Sequence, residues 1–121
     1  MVNNKNQKIT LIIIVTLLLI LSVSCTRVPN WAQGTWEGSE RYGWSENQFH
    51  DTRLVVDSRN LTWTTRDRAS NTLIFRESYL VVSKSKTSVT FRNTRDLTQN
   101  TFIHKVNDNT IEVDDLRLTK R

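Results

Sequence analysis

The chain has 121 residues, 17 of them basic and 12 acidic, with a formal charge of +5, one cysteine, one proline and three glycines. That length holds one small domain and excludes a multidomain architecture. A lone cysteine excludes an internal disulfide framework, so the fold must be held by its core. The mild positive charge is spread along the chain, which argues for a solvated surface that would rest easily near anionic headgroups or polymers.

The chain opens with Lys5 and Lys8 ahead of an apolar run from Ile9 to Leu21, broken only by Thr10 and Thr16, and then Ser22-Val23-Ser24-Cys25. The apolar stretch to Val23, about fifteen residues, spans roughly 22 Å as a helix against a bilayer core of roughly 30 Å. It is short for a permanent span and suits the apolar region of a secretory signal. With small residues before the cysteine, it resembles a bacterial lipoprotein signal, Ser22 standing where that signal usually carries Leu. The resemblance implies cleavage before Cys25, a diacylglycerol on its thiol, an acylated amine, and a membrane-anchored place in the cell envelope. An uncleaved anchor and a freely secreted form are the other readings, and each carries the domain across a membrane. The expected organisation is therefore a signal helix over residues 1–24, a lipidated cysteine and tether over 25–30, and a domain over 31–121. Losing Lys5 and Lys8 leaves 15 basic and 12 acidic residues, a charge of +3.

Beyond the extended tether Thr26-Arg27-Val28-Pro29-Asn30, the apolar set is dominated by Thr, Val, Ile, Phe, Tyr and Trp, and polar clusters punctuate the chain at short intervals. No window sustains a helical period, so the fold class is all-β, an antiparallel meander of seven to eight strands. Gln33 to Tyr42 is a strand whose Gly34 and Gly38 permit a bend or close approach, and Gly43 to Asn47 is a loop. Phe49 to Val56 places His50, Thr52, Leu54 and Val56 on one face. Leu61 and Trp63 point inward from the next strand, Thr62, Thr64 and Arg66 outward. Thr72 to Ser83 carries apolar groups on both faces, which predicts a long strand with a bulge near Glu77-Ser78 or two strands that change sheet. Val89 and Phe91 point inward, Phe102, His104 and Val106 form one face of the following strand, Asn107 to Asn109 turn, and Ile111 and Val113 go inward. Asp114-Asp115 turn again before Leu116 and Leu118 close the domain.

The Gly34-Thr35-Trp36 start, the meander and the final Leu116-Arg117-Leu118 resemble lipocalin-like, calycin-type barrels. That resemblance implies a small closed or partly open barrel over residues 31–121, with Trp36 packed across its closed end against a basic residue of the last strands, for which Arg117 is the position to test. An open sheet or sandwich is the alternative. In a barrel of this size Trp36, Trp63, Phe75, Tyr79, Phe91 and Phe102 serve as core or line a small calyx, with His104 among the lining residues.

The chemistry points away from catalysis. No nucleophile elbow, phosphate loop, paired-histidine spacing or calcium loop is present, and Cys25 is committed to lipid. His50 and Asp51 are neighbours on a strand and face opposite ways. No catalytic residue, metal or cofactor is expected. Aromatic and basic residues interleave around Trp63, Arg66 and Arg68, which in the cytoplasm would suggest single-stranded nucleic acid; export removes that partner. A stripe of Arg66, Arg68, Arg76 and Arg92 could instead face anionic lipid or polysaccharide, and Trp44, in a polar loop, is a candidate surface contact. The preferred expectation is an envelope lipoprotein whose barrel is an interaction or structural module for an envelope protein or polysaccharide. The alternative is a lipocalin-like carrier of a small hydrophobic ligand.

Overall fold

The computed structural model describes residues 26–121; the signal expected over residues 1–24 and the attachment cysteine Cys25 lie outside the described residues. A 3-10 turn (Asn30–Ala32) leads into β1 (Gly34–Arg41), β2 (Phe49–Val56), β3 (Asn60–Asp67), β4 (Leu73–Lys84), β5 (Ser88–Asn93), β6 (Asn100–Asn107), β7 (Thr110–Val113) and β8 (Leu116–Lys120). Each strand pairs antiparallel with the next, and β8 returns to β1 to close the barrel. Closure leaves no exposed sheet edge. Every strand pairing and every buried apolar side chain of the described residues lies within Val28–Arg121, so this stretch carries its own closed sheet and core.

The turns follow from local chemistry. The Asp57 carboxylate accepts the backbone N–H groups of Arg59 (2.9 Å) and Asn60 (2.7 Å), fixing the β2–β3 turn. Asp114 and Asp115 sit at φ 48° and 65°, the left-handed pair that a two-residue hairpin requires between Val113 and Leu116. In a closed antiparallel barrel alternate connections share an end. The β2–β3, β4–β5 and β6–β7 turns therefore lie with both chain ends at one end, and the other four connections lie opposite.

The first of these ends is plugged. Trp36, Leu54, Leu61, Phe91, Ile103, Ile111, Val113 and Leu118 fill the axis with full burial. Beneath them Ala32 accepts the Trp36 indole N–H through its carbonyl at 2.8 Å. The segment expected to stand off as a free tether is docked instead. Val28 is buried, its N–H donates to the Ser58 carbonyl (2.8 Å), and its carbonyl accepts from Gln33 Nε2 (2.9 Å). The reason is that the strands leave the barrel base open, and a valine next to it buries more apolar surface docked than solvated. The basic residue over Trp36 is Lys120, its Nζ 5.6 Å from the ring centroid, not Arg117. Arg117 lies one residue off that parity and reaches outward to Glu112 at 3.8 Å. Gly34, at φ +125°, leaves room for the Lys120 stem, and at Gly38 a Cβ would lie 2.7 Å from the Arg117 carbonyl oxygen and strike the Leu118 side chain. The β1–β8 seam closes because glycine stands there.

Two expectations about faces are corrected. Thr101 and Ile103 are buried on β6, while Phe102, His104 and Val106 point outward. Both parities of this strand carry an apolar residue, and the choice is made by its neighbours: Ile103 stands opposite inward-facing Val89 on one side and Val113 on the other. The long β4 is a single strand, but its irregularities fall opposite Thr65/Arg66 and between Val81 and Ser83, not at Glu77-Ser78. Glu77 keeps inward parity and accepts from Asn93 Nδ2 at 3.1 Å. Above the aromatic layer the interior thus turns polar, with Thr52 and Thr65 hydroxyls 3.3 Å apart and Trp63 Nε1 donating to Thr65 Oγ1 at 3.1 Å.

Candidate interaction surface

Because side chains alternate along a strand, the residues not spent on the core form their own rows on the outside. Glu37, Arg53, Thr64 and Arg76 stand side by side across β1 to β4, and Ser39, Asp51 and Arg66 make the next row towards the open end. These rows, with Val55, Thr62, Arg68, Asn71 and Thr119, line a groove of about 1100 Å³ on the outer face of the barrel. The β3–β4 irregularity lies beside Arg66, where a bulge sharpens strand twist.

The charges in the groove are unequally satisfied. Glu37 is held by Arg53 at 2.8 Å and by Arg121 at 3.1 Å. Arg68 grips Asp51 through both carboxylate oxygens, at 2.7 and 3.2 Å, and also donates to Ser39 Oγ at 2.8 Å. Ser39 in turn donates to Asp51 at 2.7 Å. The Arg68 guanidinium holds the Asp51 carboxyl below the usual carboxylate range, with Ser39 adding to the effect. Arg66 reaches only the Asn71 carbonyl at 3.4 Å, and neither Arg66 nor Arg76 has an ion-pair partner among the described residues. Each guanidinium presents five donors in a planar fork. Arg76 stands opposite Thr64 on the neighbouring strand and Arg66 two places along β3 on the same face, and such forks suit carboxylate, sulfate or phosphate groups.

The rim of the open end is aromatic. The guanidinium carbons of Arg41 and Arg68 lie over the Phe49 ring, 5.0 and 4.3 Å from its centroid. Tyr42 stacks at a tilt on His50, with ring centroids 4.4 Å apart, and donates to Asp67 Oδ1 at 2.6 Å. That hydrogen bond raises the Tyr42 phenol above its ordinary range and lowers Asp67. Trp44, in the β1–β2 loop at this rim, is 97% exposed.

The expected site residues separate into distinct environments. Trp36 and Tyr79 are core, and Trp63 sits partly buried at the open end with Phe75 edge-on at 6.2 Å. Phe75 is exposed, and His104 lies on the outer face of β6. Of the residues expected as core or calyx lining, Trp36, Trp63, Phe75 and Tyr79 share the inward parity of their strands, and His104 points outward. Arg66 and Arg68 do meet, in the groove, with Arg76; Arg92, placed on the same stripe by the sequence, stands on β5 near Asn100 and outside the groove lining. Glu37, Asp51, Arg53 and Thr64 went unselected as site residues. Their signal was the outward parity they share with Arg66, visible only once the strand register is known. Among the described residues no group of three or more His, Cys, Asp or Glu could hold a metal ion. Comparison with family models, with curated proteins and with solved structures finds no match to this chain.

Proposed function

We propose that this chain is an extracytoplasmic lipoprotein, held to the envelope membrane by lipid on Cys25, whose barrel works as an interaction module through its outer surface. The observation that carries this reading is the contrast between the two faces of the sheet. Inside, the axis is occupied by the chain's own side chains; outside, the strands present a groove with two unpaired guanidiniums beside threonine hydroxyls. The groove's chemistry suits an anionic envelope polymer or the acidic face of an envelope protein. A carrier of apolar ligands would line one void with Trp63, Phe75, Tyr79 and His104; Tyr79 is packed into the core and His104 faces outward, which favours the module instead. The basic residue over Trp36 supports kinship with calycin-type barrels. The proposal includes no catalytic step, cofactor, metal or nucleic-acid partner.

Metabolic labelling with palmitate tests the anchor: label is expected on the native chain and lost in Cys25→Ala, and unchanged labelling of that variant would overturn it. For the groove, Arg66→Glu with Arg76→Glu is expected to weaken retention on an anionic polysaccharide matrix at low salt. Undiminished retention would move the contact elsewhere.

A further inference from the structure

The two ends of the barrel differ in charge. At the plugged end the chain arrives from Cys25, and the exposed basic residues Arg27, Arg59, Lys84, Lys86 and Lys120 are opposed there by two acids, Asp57 and Asp108, while Arg121 turns to Glu37 at 3.1 Å. They come from four separate chain passages, and this end is drawn together by backbone hydrogen bonds such as Val28 N–H to Ser58 (2.8 Å), Val81 N–H to Arg59 (2.9 Å) and Lys120 N–H to Asn109 (2.9 Å). The opposite rim carries Glu46, Asp67, Asp96, Asp114 and Asp115 against Arg41, Arg68 and Arg95. Nor are the acids of the plugged end idle. Asp57 is engaged by the turn it fixes, and Asp108 pairs with Lys105 at 3.4 Å.

We infer that the plugged end is a docking face for an anionic lipid bilayer, so that the barrel sits with its basic base against the headgroups and its acidic rim, with Trp44, held away. Position and charge argue this together. Val28 is fixed to the β2–β3 turn only three positions after Cys25, so anything attached there is held against this end and no other. Each basic residue near an anionic surface adds to binding, and a single lipid signal binds reversibly unless a polybasic patch assists it. The groove then runs up the side of the barrel, open to partners. The inference rests on the membrane location proposed above for the presence of the bilayer, but the docking face itself needs no lipid on the chain.

The test therefore uses unlipidated chain, residues 26–121, which carries the whole closed sheet and core. Its sedimentation with vesicles is measured for phosphatidylglycerol mixed into phosphatidylcholine and for phosphatidylcholine alone. Binding is expected on the anionic vesicles only, to be lost at high salt, and to fall by roughly tenfold or more in Lys84→Glu with Lys86→Glu. Arg41→Glu with Arg95→Glu, the same charge change at the far rim, is expected to leave it nearly unchanged. Equal binding to neutral vesicles, or equal loss in both variants, would overturn the proposal. So would retention on a soluble polyanion without vesicle binding, which assigns the patch to a polymer. Because palmitate labelling reads the anchor separately, failure of one is distinguishable from failure of the other.

Discussion

Trp36 joins the barrel axis, the plug below it and the closing strand. It fills the axis, donates to the 3-10 turn below and lies under the Lys120 ammonium. Trp36→Ala removes all three, and a loss of about 3–5 kcal/mol is expected, read as a lower midpoint in urea unfolding. Gly38 is the complementary case. A methyl there meets a backbone carbonyl that cannot swing aside, so Gly38→Ala is expected to cost about 1–3 kcal/mol in the same measurement. The surface aspartates set the response to acid. Asp51, Asp57, Asp67 and Asp96 all have lowered pKa values in the folded chain, through hydrogen bonds from Arg68, from the Arg59 amide, from Tyr42 and from Thr98 respectively. Carboxyls depressed by folding contribute stability that is complete above their unfolded value, 3.8 for aspartate, and is lost as pH falls through the folded values. Thermal midpoints should hold steady from neutral pH to about 5 and fall below 4, and Asp51→Asn should make that fall shallower.

At the scale of strands and turns, what the sequence revealed depended on whether one parity alone was apolar. Leu54 and Val56, Val89 and Phe91, and Ile111 and Val113 stand in strands with one clear inner face, and all are buried as expected. β2 begins and ends where the alternation places it, at Phe49 and Val56. The face of β6 is not legible in the sequence because Phe102 and Ile103 are both large and apolar, and only pairing with β5 and β7 decides between them. Val28 escaped notice for a different reason: a lone valine beside a proline has no periodicity, and its burial depends on a barrel base assembled from distant strands. The groove was half legible. Arg66 and Arg68 were selected, yet their carboxylate and hydroxyl neighbours lie on other strands, and which row faces which is a matter of register. The docked segment makes its own prediction. Val28→Ala should speed hydrogen exchange at the Ala32 and Gln33 amides, which bond within this segment, while protection in β5 to β7 persists. Uniform loss across the barrel would mean that the segment is not a separate unit.

For the whole molecule, a closed sheet of this size has room for either its own side chains or one small guest, and this sequence commits the axis to Trp36, Phe91 and the aliphatic residues around them. The proposed interaction reading places function on the outside, where charge differs from end to end and a groove crosses β1 to β4. The cysteine just before the plug joins the fold to the envelope reading, and the packed axis joins it to the interaction reading. Both meet in the mass of the protein isolated from its own cells and kept under native conditions. The expected species is the chain from Cys25 to Arg121 carrying covalent acyl mass and no dissociable guest. A chain beginning at Met1, or a molecule released from the barrel on gentle activation, would contradict the account.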